Sequence, residues 1–244
     1  MHNITELLNY KKSNIAVILG SGSSINDITE QEWEKLKTFD LWALNNWVYH
    51  PSVIPNFYHI EVKHYDAEIV KRRLEEKWDK YKDVIYLVPS IRQDVVDVIG
   101  HENEAKIFYY EYIKRNIYKN KINANYNIKI KGIFVRSYNT SLSLLIDMLY
   151  KLKYRYIILA GVDLLDSRYF WTNGDPNIYG EVHQQWNKEI SGGKIDAPHK
   201  THHISNFIID FNNQHMKSKK REIFLITKKS KLYPDLNCIK IENI

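Results

Sequence analysis

Two rhythms of apolar and polar positions run through this chain. The first is the short, unbroken apolar run with polar borders, which marks a strand buried on both faces. Residues 14–20, 83–88 and 155–160 read this way; the first run empties into Gly20-Ser21-Gly22-Ser23-Ser24, the second stops at Pro89, and the third ends at Gly161-Val162-Asp163. Shorter strands are predicted over 40–44 and 56–60, others over 222–227 and 238–241, while 106–112 fits a strand or a helix. The second rhythm is helical. Ile69, Val70, Leu74 and Trp78 recur at helical spacing over 67–81, residues 141–152 are apolar almost all round, and 94–99 and 205–217 continue the pattern. Thr29 with Glu32 three residues later makes a capping box, which opens a short helix to about Thr38.

This alternation predicts an α/β fold: a Rossmann-like, mostly parallel sheet flanked by helices, with 14–20, 83–88 and 155–160 as adjacent or near-adjacent core strands. A chain of 244 residues is long enough for one full core, so 1–244 reads as a single domain. Two polar stretches interrupt the alternation and read as lid-like insertions. One is 113–131, basic and rich in Asn and Tyr; the other is 164–202, rich in Gly, Pro, Trp and His, with a helix at 181–190.

Composition narrows the setting. A single cysteine, Cys238, excludes an intrachain disulfide and suits a reducing compartment. The first residues lack the basic flank and apolar core of a signal peptide, and no apolar run approaches the roughly 20 residues of a membrane span. The expectation is a cytoplasmic protein. The formal charge of +6 comes from Lys and Arg at 71–73, 114–115, 119–131 and 217–221, with acidic residues interleaved. No nucleic-acid motif accompanies them, so nucleic acid is not an expected partner. Such a surface suits an anionic substrate or peripheral contact with an anionic membrane, or it reflects the base composition of a genome.

Four groups fall where strand ends meet loops, the usual ligand position in an open α/β sheet. The Gly20–Ser24 loop offers close backbone approach, N–H groups and hydroxyls to a phosphate or nucleotide, or is a plain strand-to-helix turn. Asn45 and Asn46 present two neutral amides suited to a base, ribose or sugar, or serve a turn. Asn139-Thr140-Ser141 opens the buried helix, where one residue can cap the helix while the terminus binds an anion. Asp163 closes its strand and could hold ribose hydroxyls or position a loop. The fourth group is His199, His202 and His203, spaced for a metal or a general base. No Asp-x-Asp and no thiol or Glu-x-x-His partner accompanies these histidines, so no metal is expected.

These motifs together resemble the bacterial sialyltransferases of glycosyltransferase family 42. The resemblance rests on Gly20-Ser21-Gly22-Ser23-Ser24, Leu44-Asn45-Asn46-Trp47, Thr140-Ser141 nineteen residues before Ala160-Gly161-Val162-Asp163, and His203-x-x-Asn206. It implies a GT-A-like variant of the Rossmann sheet and a metal-independent inverting transferase that moves a sialic-acid-like sugar from a CMP-sugar to a glycan or glycolipid acceptor. No cofactor is implied beyond that donor substrate. By the same resemblance Gly20, Ser21, Gly22 and Asn45 contact the donor, and Thr140 and Ser141 lie near cytidine or phosphate. His203 is the base, with His202 its neighbour in register, and Tyr169 assists phosphate departure. Ser23, Asn46, Asp163 and His59, the last at a position where the family carries Asn, complete the substrate-binding set. A homo-oligomer is compatible with it. Transfer of another nonulosonic acid or Kdo, and a non-catalytic nucleotide- or RNA-binding module, are the competing readings.

Overall fold

The structure, a computed structural model, describes residues 4–61, 64–90, 92–101, 103–110, 112–114, 135–137, 140–164, 169–173 and 201–244. The apolar runs form a seven-stranded sheet. In chain order its strands are β1 (Ile15–Leu19), β2 (Asp40–Leu44), β3 (Phe57–His59), β4 (Ile85–Pro89) and β5 (Lys106–Tyr110), then β8 (Tyr156–Ala160) and β9 (Glu222–Leu225). A separate parallel pair, β6 (Tyr112–Lys114) and β7 (Val135–Ser137), lies between them in sequence. The order across the main sheet is β5-β4-β3-β2-β1-β8-β9, and every pairing is parallel. The chain therefore grows outward from β1 on one side, then returns to β1 and grows outward on the other. The break in order falls between β1 and β8.

Strand pleating divides the core into two layers. Ala16, Ile18, Ile157 and Leu159 face one layer, which holds α5 (Ser141–Lys151), α6 (Thr201–Phe211) and Leu7. Val17, Leu19, Ile158 and Ala160 face the other, which holds α1 (Glu30–Leu36), α2 (His64–Glu76), α3 (Trp78–Tyr81) and α4 (Gln93–Ile99). Burial on both faces explains why these strands read as unbroken apolar runs. The capping box at Thr29 is present, with the Glu32 carboxylate accepting from Thr29 N at 2.8 Å. Asp40 is fully buried and compensated: it accepts from Lys12 N, Ser13 N and the Tyr154 hydroxyl, tying the starts of β1, β2 and β8 together.

Several expected boundaries move for identifiable reasons. The 83–88 run is β4, separated from β1 by β2 and β3, because each successive strand adds to the outer edge. The helix over 67–81 breaks at Lys77, whose ammonium donates to the Val48 and His50 carbonyls at 2.7 and 2.9 Å. The last long helix begins at Thr201 and loosens into a π turn over Asn212–Met216. There the buried Asn212 turns its Oδ1 to the Ile223 N–H of β9 at 2.8 Å. Residues 238–241 supply only a bridge between Cys238 and Leu225, not a strand. The 106–112 segment is strand β5. Of the two expected insertions, most of 113–131 and 164–202, including the 181–190 helix, lies outside the described residues. Among the described residues no helix is long and apolar enough to cross a membrane.

Candidate functional site

Because the sheet is parallel, the turns after all strands gather along one edge. At its centre the turns after β1 and β8 meet. Gly20 N donates to Ala160 O at 2.8 Å and Gly22 N to Gly161 O at 2.7 Å. A Cβ on Gly20 would lie 2.4 Å from Gly161 O, and one on Gly22 would lie 2.5 Å from Asp163 Oδ2. Glycine is thus required at both places by contact, and at Gly161 also by a φ of +66°. Asp163 is nearly buried and accepts from Ser24 N at 3.0 Å and from Ser24 Oγ. It locks the serine-glycine loop to the β8 turn. Ser21, Gly22 and Ser23 remain half-exposed along the loop. Tyr169 pairs through its backbone with Gly22, and its ring stacks on Trp171 with centroids 4.6 Å apart.

A second cluster sits beside it, after β2 and β3. Asn45 adopts the left-handed conformation, φ +47°, which Asn tolerates better than most residues. Its Oδ1 accepts from Glu61 N at 3.0 Å, and its carbonyl accepts from the Tyr58 hydroxyl. The half-buried Glu61 accepts from Ser141 Oγ at 2.7 Å, so its carboxylate stands at the N-terminus of α5. Thr140 caps that helix through Ser143 N at 3.1 Å, and Leu144 N reaches Thr140 O. Among the described residues this leaves the Ser141 and Leu142 N–H groups without an acceptor. The buried Asn46 Oδ1 likewise lacks a donor among them.

His59 is placed differently from expectation. It is fully buried, with Nε2 2.6 Å from the Tyr110 hydroxyl and Nδ1 unpartnered among the described residues. It supports the edge from beneath rather than presenting its ring to a ligand. Burial holds its pKa down to about 4, with Glu61 pulling it up and Arg92 pushing it further down.

The helix N-termini of α5 and α6 point to the same edge, since each helix leads back to the start of the following strand, and both pack on the same face of the sheet. His202 and His203 stand in the first turn of α6. The serine-glycine loop, Asn45, Asn46, Thr140, Ser141, Asp163 and Tyr169 therefore share one edge with the start of α6. His199 lies outside the described residues. Glu61 is the residue that sequence reasoning missed: it follows a three-residue strand, belongs to no motif, and is made significant only by contact with Ser141.

No family model matches the chain, and no curated protein matches it. Solved structures do. The sialyltransferase CstII from Campylobacter jejuni, in complex with the substrate analogue cytidine-5′-monophosphate, aligns with a TM-score of 0.52 at 12% identity, over 93% of this chain and 85% of that one. A Tyr-to-Phe variant of Cst-II in complex with CMP aligns with a TM-score of 0.54 at 12% identity, over 95% of this chain and 88% of that one. The monofunctional α-2,3-sialyltransferase Cst-I from Campylobacter jejuni aligns with a TM-score of 0.53 at 15% identity, over 95% of this chain and 82% of that one. The chain thus has a sialyltransferase-like fold.

The buried His59 predicts a pH dependence of stability. Its folded pKa of about 4 lies below the unfolded value of 6.5, so the unfolded chain takes up a proton first as pH falls. Stability is full above about pH 6.5 and declines toward pH 4, by up to about 3 kcal/mol from this group. His50, also held down to about 4 by burial and by Lys77, adds to the same trend. Urea unfolding across pH 4–7 should show a shallower slope in His59→Asn than in the parent; an unchanged slope removes His59 from this role.

Proposed function

We propose that the protein is a glycosyltransferase that binds a CMP-activated sugar at the carboxyl edge of the sheet and transfers the sugar to a glycan hydroxyl. The observation that carries this reading is the junction of the Gly20–Ser24 loop and the Gly161–Asp163 turn at the break in strand order, with the α5 N-terminus at the same edge beside Glu61. Open α/β sheets bind nucleotides at that point. The solved structures of the same fold include complexes with CMP, which supports the choice of nucleotide.

The chemistry asks for few components. As the acceptor oxygen attacks the anomeric carbon, the bond from that carbon to the phosphate oxygen breaks and CMP departs with the negative charge. Preorganised N–H and O–H donors stabilise such charge without a metal. The Ser141 and Leu142 N–H groups and the half-exposed loop serines are donors of this kind. In this mechanism His203, in the first turn of α6, takes the proton from the acceptor hydroxyl as general base. Attack from the face opposite the phosphate inverts the anomeric centre.

Glu61 bears on the donor. An acidic sugar approaching the α5 N-terminus meets a carboxylate already bonded to Ser141, and like charges a few ångströms apart repel. Binding such a donor requires Glu61 to turn away from Ser141.

Ligand binding tests the reading first. In a thermal-shift panel of CMP, CDP, UDP, GDP and NAD, CMP is expected to stabilise most; selective stabilisation by another nucleotide replaces the donor class. His203→Ala is expected to lower transfer by about 10²–10⁴-fold while CMP affinity stays near that of the parent. A dead His202→Ala beside an active His203→Ala moves the base by one residue, and activity in both ends the histidine-base mechanism. Transfer is expected to persist in excess EDTA.

Glu61→Gln separates acidic from neutral donors. Affinity for a CMP-linked acidic sugar should rise about tenfold, and more than affinity for a CMP-linked neutral sugar, because the acidic donor carries one more anionic group. A weaker acidic donor in Glu61→Gln, measured by calorimetry, shows that Glu61 binds the sugar instead of repelling it.

A further inference from the structure

The opposite edge of the sheet carries a feature that the catalytic reading does not use. The turns entering β1, β8 and β9, three neighbouring strands, place Lys11, Lys12, Lys153, Arg155, Lys217, Lys219, Lys220 and Arg221 along one rim. The structure shows their proximity directly. Lys11 Nζ donates to Lys153 O at 3.3 Å, Arg155 N bonds Asn14 O at 2.8 Å, and Glu222 N bonds Arg155 O at 3.1 Å. The Arg221 guanidinium reaches Tyr150 O at 2.9 Å, and the Lys11 pKa is lowered by burial, raised in part by Asp40 and lowered again by Arg221.

Six of the eight cations are exposed, and Lys11 and Arg221 are half-buried. The cations outnumber the acids beside them: Asp40, buried beneath backbone N–H groups and the Tyr154 hydroxyl, offsets part of the Lys11 charge, Glu222 accepts from Asn237 Nδ2, and Glu6 is exposed in the turn before Lys11. Beside the rim lies apolar surface. Only Leu8, Tyr10 and Tyr233 are large exposed hydrophobics among the described residues, and the first two, 39% and 40% exposed, belong to the turn leading directly into Lys11 and Lys12; Leu8 O accepts from Lys11 N, while the Tyr10 ring packs edge-on against Phe108 of β5.

We propose that this amino-edge rim is a docking surface for an anionic lipid bilayer, with the lysines and arginines on the headgroups and Leu8 and Tyr10 at the headgroup–acyl boundary. Clustered cations near an anionic surface each add to binding, and an adjacent leucine and tyrosine gain from an interface that is wet on one side and apolar on the other. A nucleic-acid backbone would use the cations but gain nothing from Leu8. The docked orientation turns the carboxyl edge away from the bilayer, roughly 17 Å off for five-residue strands. An acceptor must then extend that far from the surface or be free of it.

Sedimentation with vesicles tests the face independently of any transferase activity. The full chain should sediment with phosphatidylcholine vesicles containing about 30% phosphatidylglycerol, not with phosphatidylcholine alone, and should be released by added salt. Lys12→Gln, Lys217→Gln and Lys219→Gln combined, which avoid the left-handed positions Lys153 and Lys220, should weaken binding by about 100-fold. The same charge change at the far edge, Lys228→Gln with Lys229→Gln and Lys231→Gln, should leave binding within about threefold of the parent. Leu8→Ser with Tyr10→Ser should weaken binding without altering its salt dependence. Unchanged thermal midpoints in these surface variants confirm folding. Absence of phosphatidylglycerol-dependent binding, or equal loss in the two lysine triples, overturns the proposal. So does an oligouridylate that displaces the vesicles and is held by the same lysines.

Discussion

The turns after β1 and β8 approach so closely that neither has room for side chains where they meet. Cβ atoms on Gly20, Gly22 and Gly161 would fall within 2.5 Å of Gly161 O, Asp163 Oδ2 and the Ile25 side chain. The contact sits at the one place where strand order reverses, so it joins the half of the sheet that grows through β2 to the half that grows through β9. Asp163 then fixes the loop by accepting twice from Ser24, and the 169–173 segment returns to pair with Gly22. The serine-glycine loop, the Gly161–Asp163 turn and the start of the 169–173 segment are positioned by that contact. A larger residue at Gly22 would displace the carboxylate that holds the loop.

The cations of the amino edge have a cause that begins with the helices. α5 and α6 direct their N-termini, with positive partial charge, to the edge holding the candidate site, and their C-termini to the other. Lys151 ends α5 and Lys153 follows it, and Lys217–Arg221 follow α6 and its π turn, where cations complement the negative helix end. The dipole accounts for one or two cations per helix. Eight along one rim exceed that requirement, and the proposed docking surface rests on the excess.

Legibility in the sequence followed the range of the interactions involved. β1 and β8 were readable because burial on both faces leaves a continuous apolar signature, and the Thr29 capping box because its partners lie three residues apart. The position of β4 was not, since sheet order is decided by pairings that no local pattern encodes. The break at Lys77 depends on carbonyls 27 and 29 residues away. At the candidate site the same division holds. The Gly20 loop, Asn45 and Thr140 announced themselves by residue type at strand and helix ends, whereas Glu61 is ordinary in sequence and acquires meaning from Ser141, 80 residues later. His59 shows the converse: a polar residue at a strand end that the fold buries against Tyr110.

The groups at the edge also divide by what can replace them. Those supplied by backbone, such as the loop N–H groups and the α5 N-terminus, require only the fold and a few glycines, so they locate a ligand without choosing it. Choice belongs to side chains. Thr140 satisfies Ser143 N, which leaves the anion-binding capacity of α5 to two N–H groups and the Ser141 hydroxyl. Glu61 already occupies that hydroxyl. A carboxylate in that position favours ligand hydroxyls and disfavours ligand anions, while a glutamine of the same shape would do neither through charge. Under the proposed function, discrimination between acidic and neutral sugars would fall to this side chain, which Asn45 holds in place through its backbone N–H and which the glycine contact does not touch.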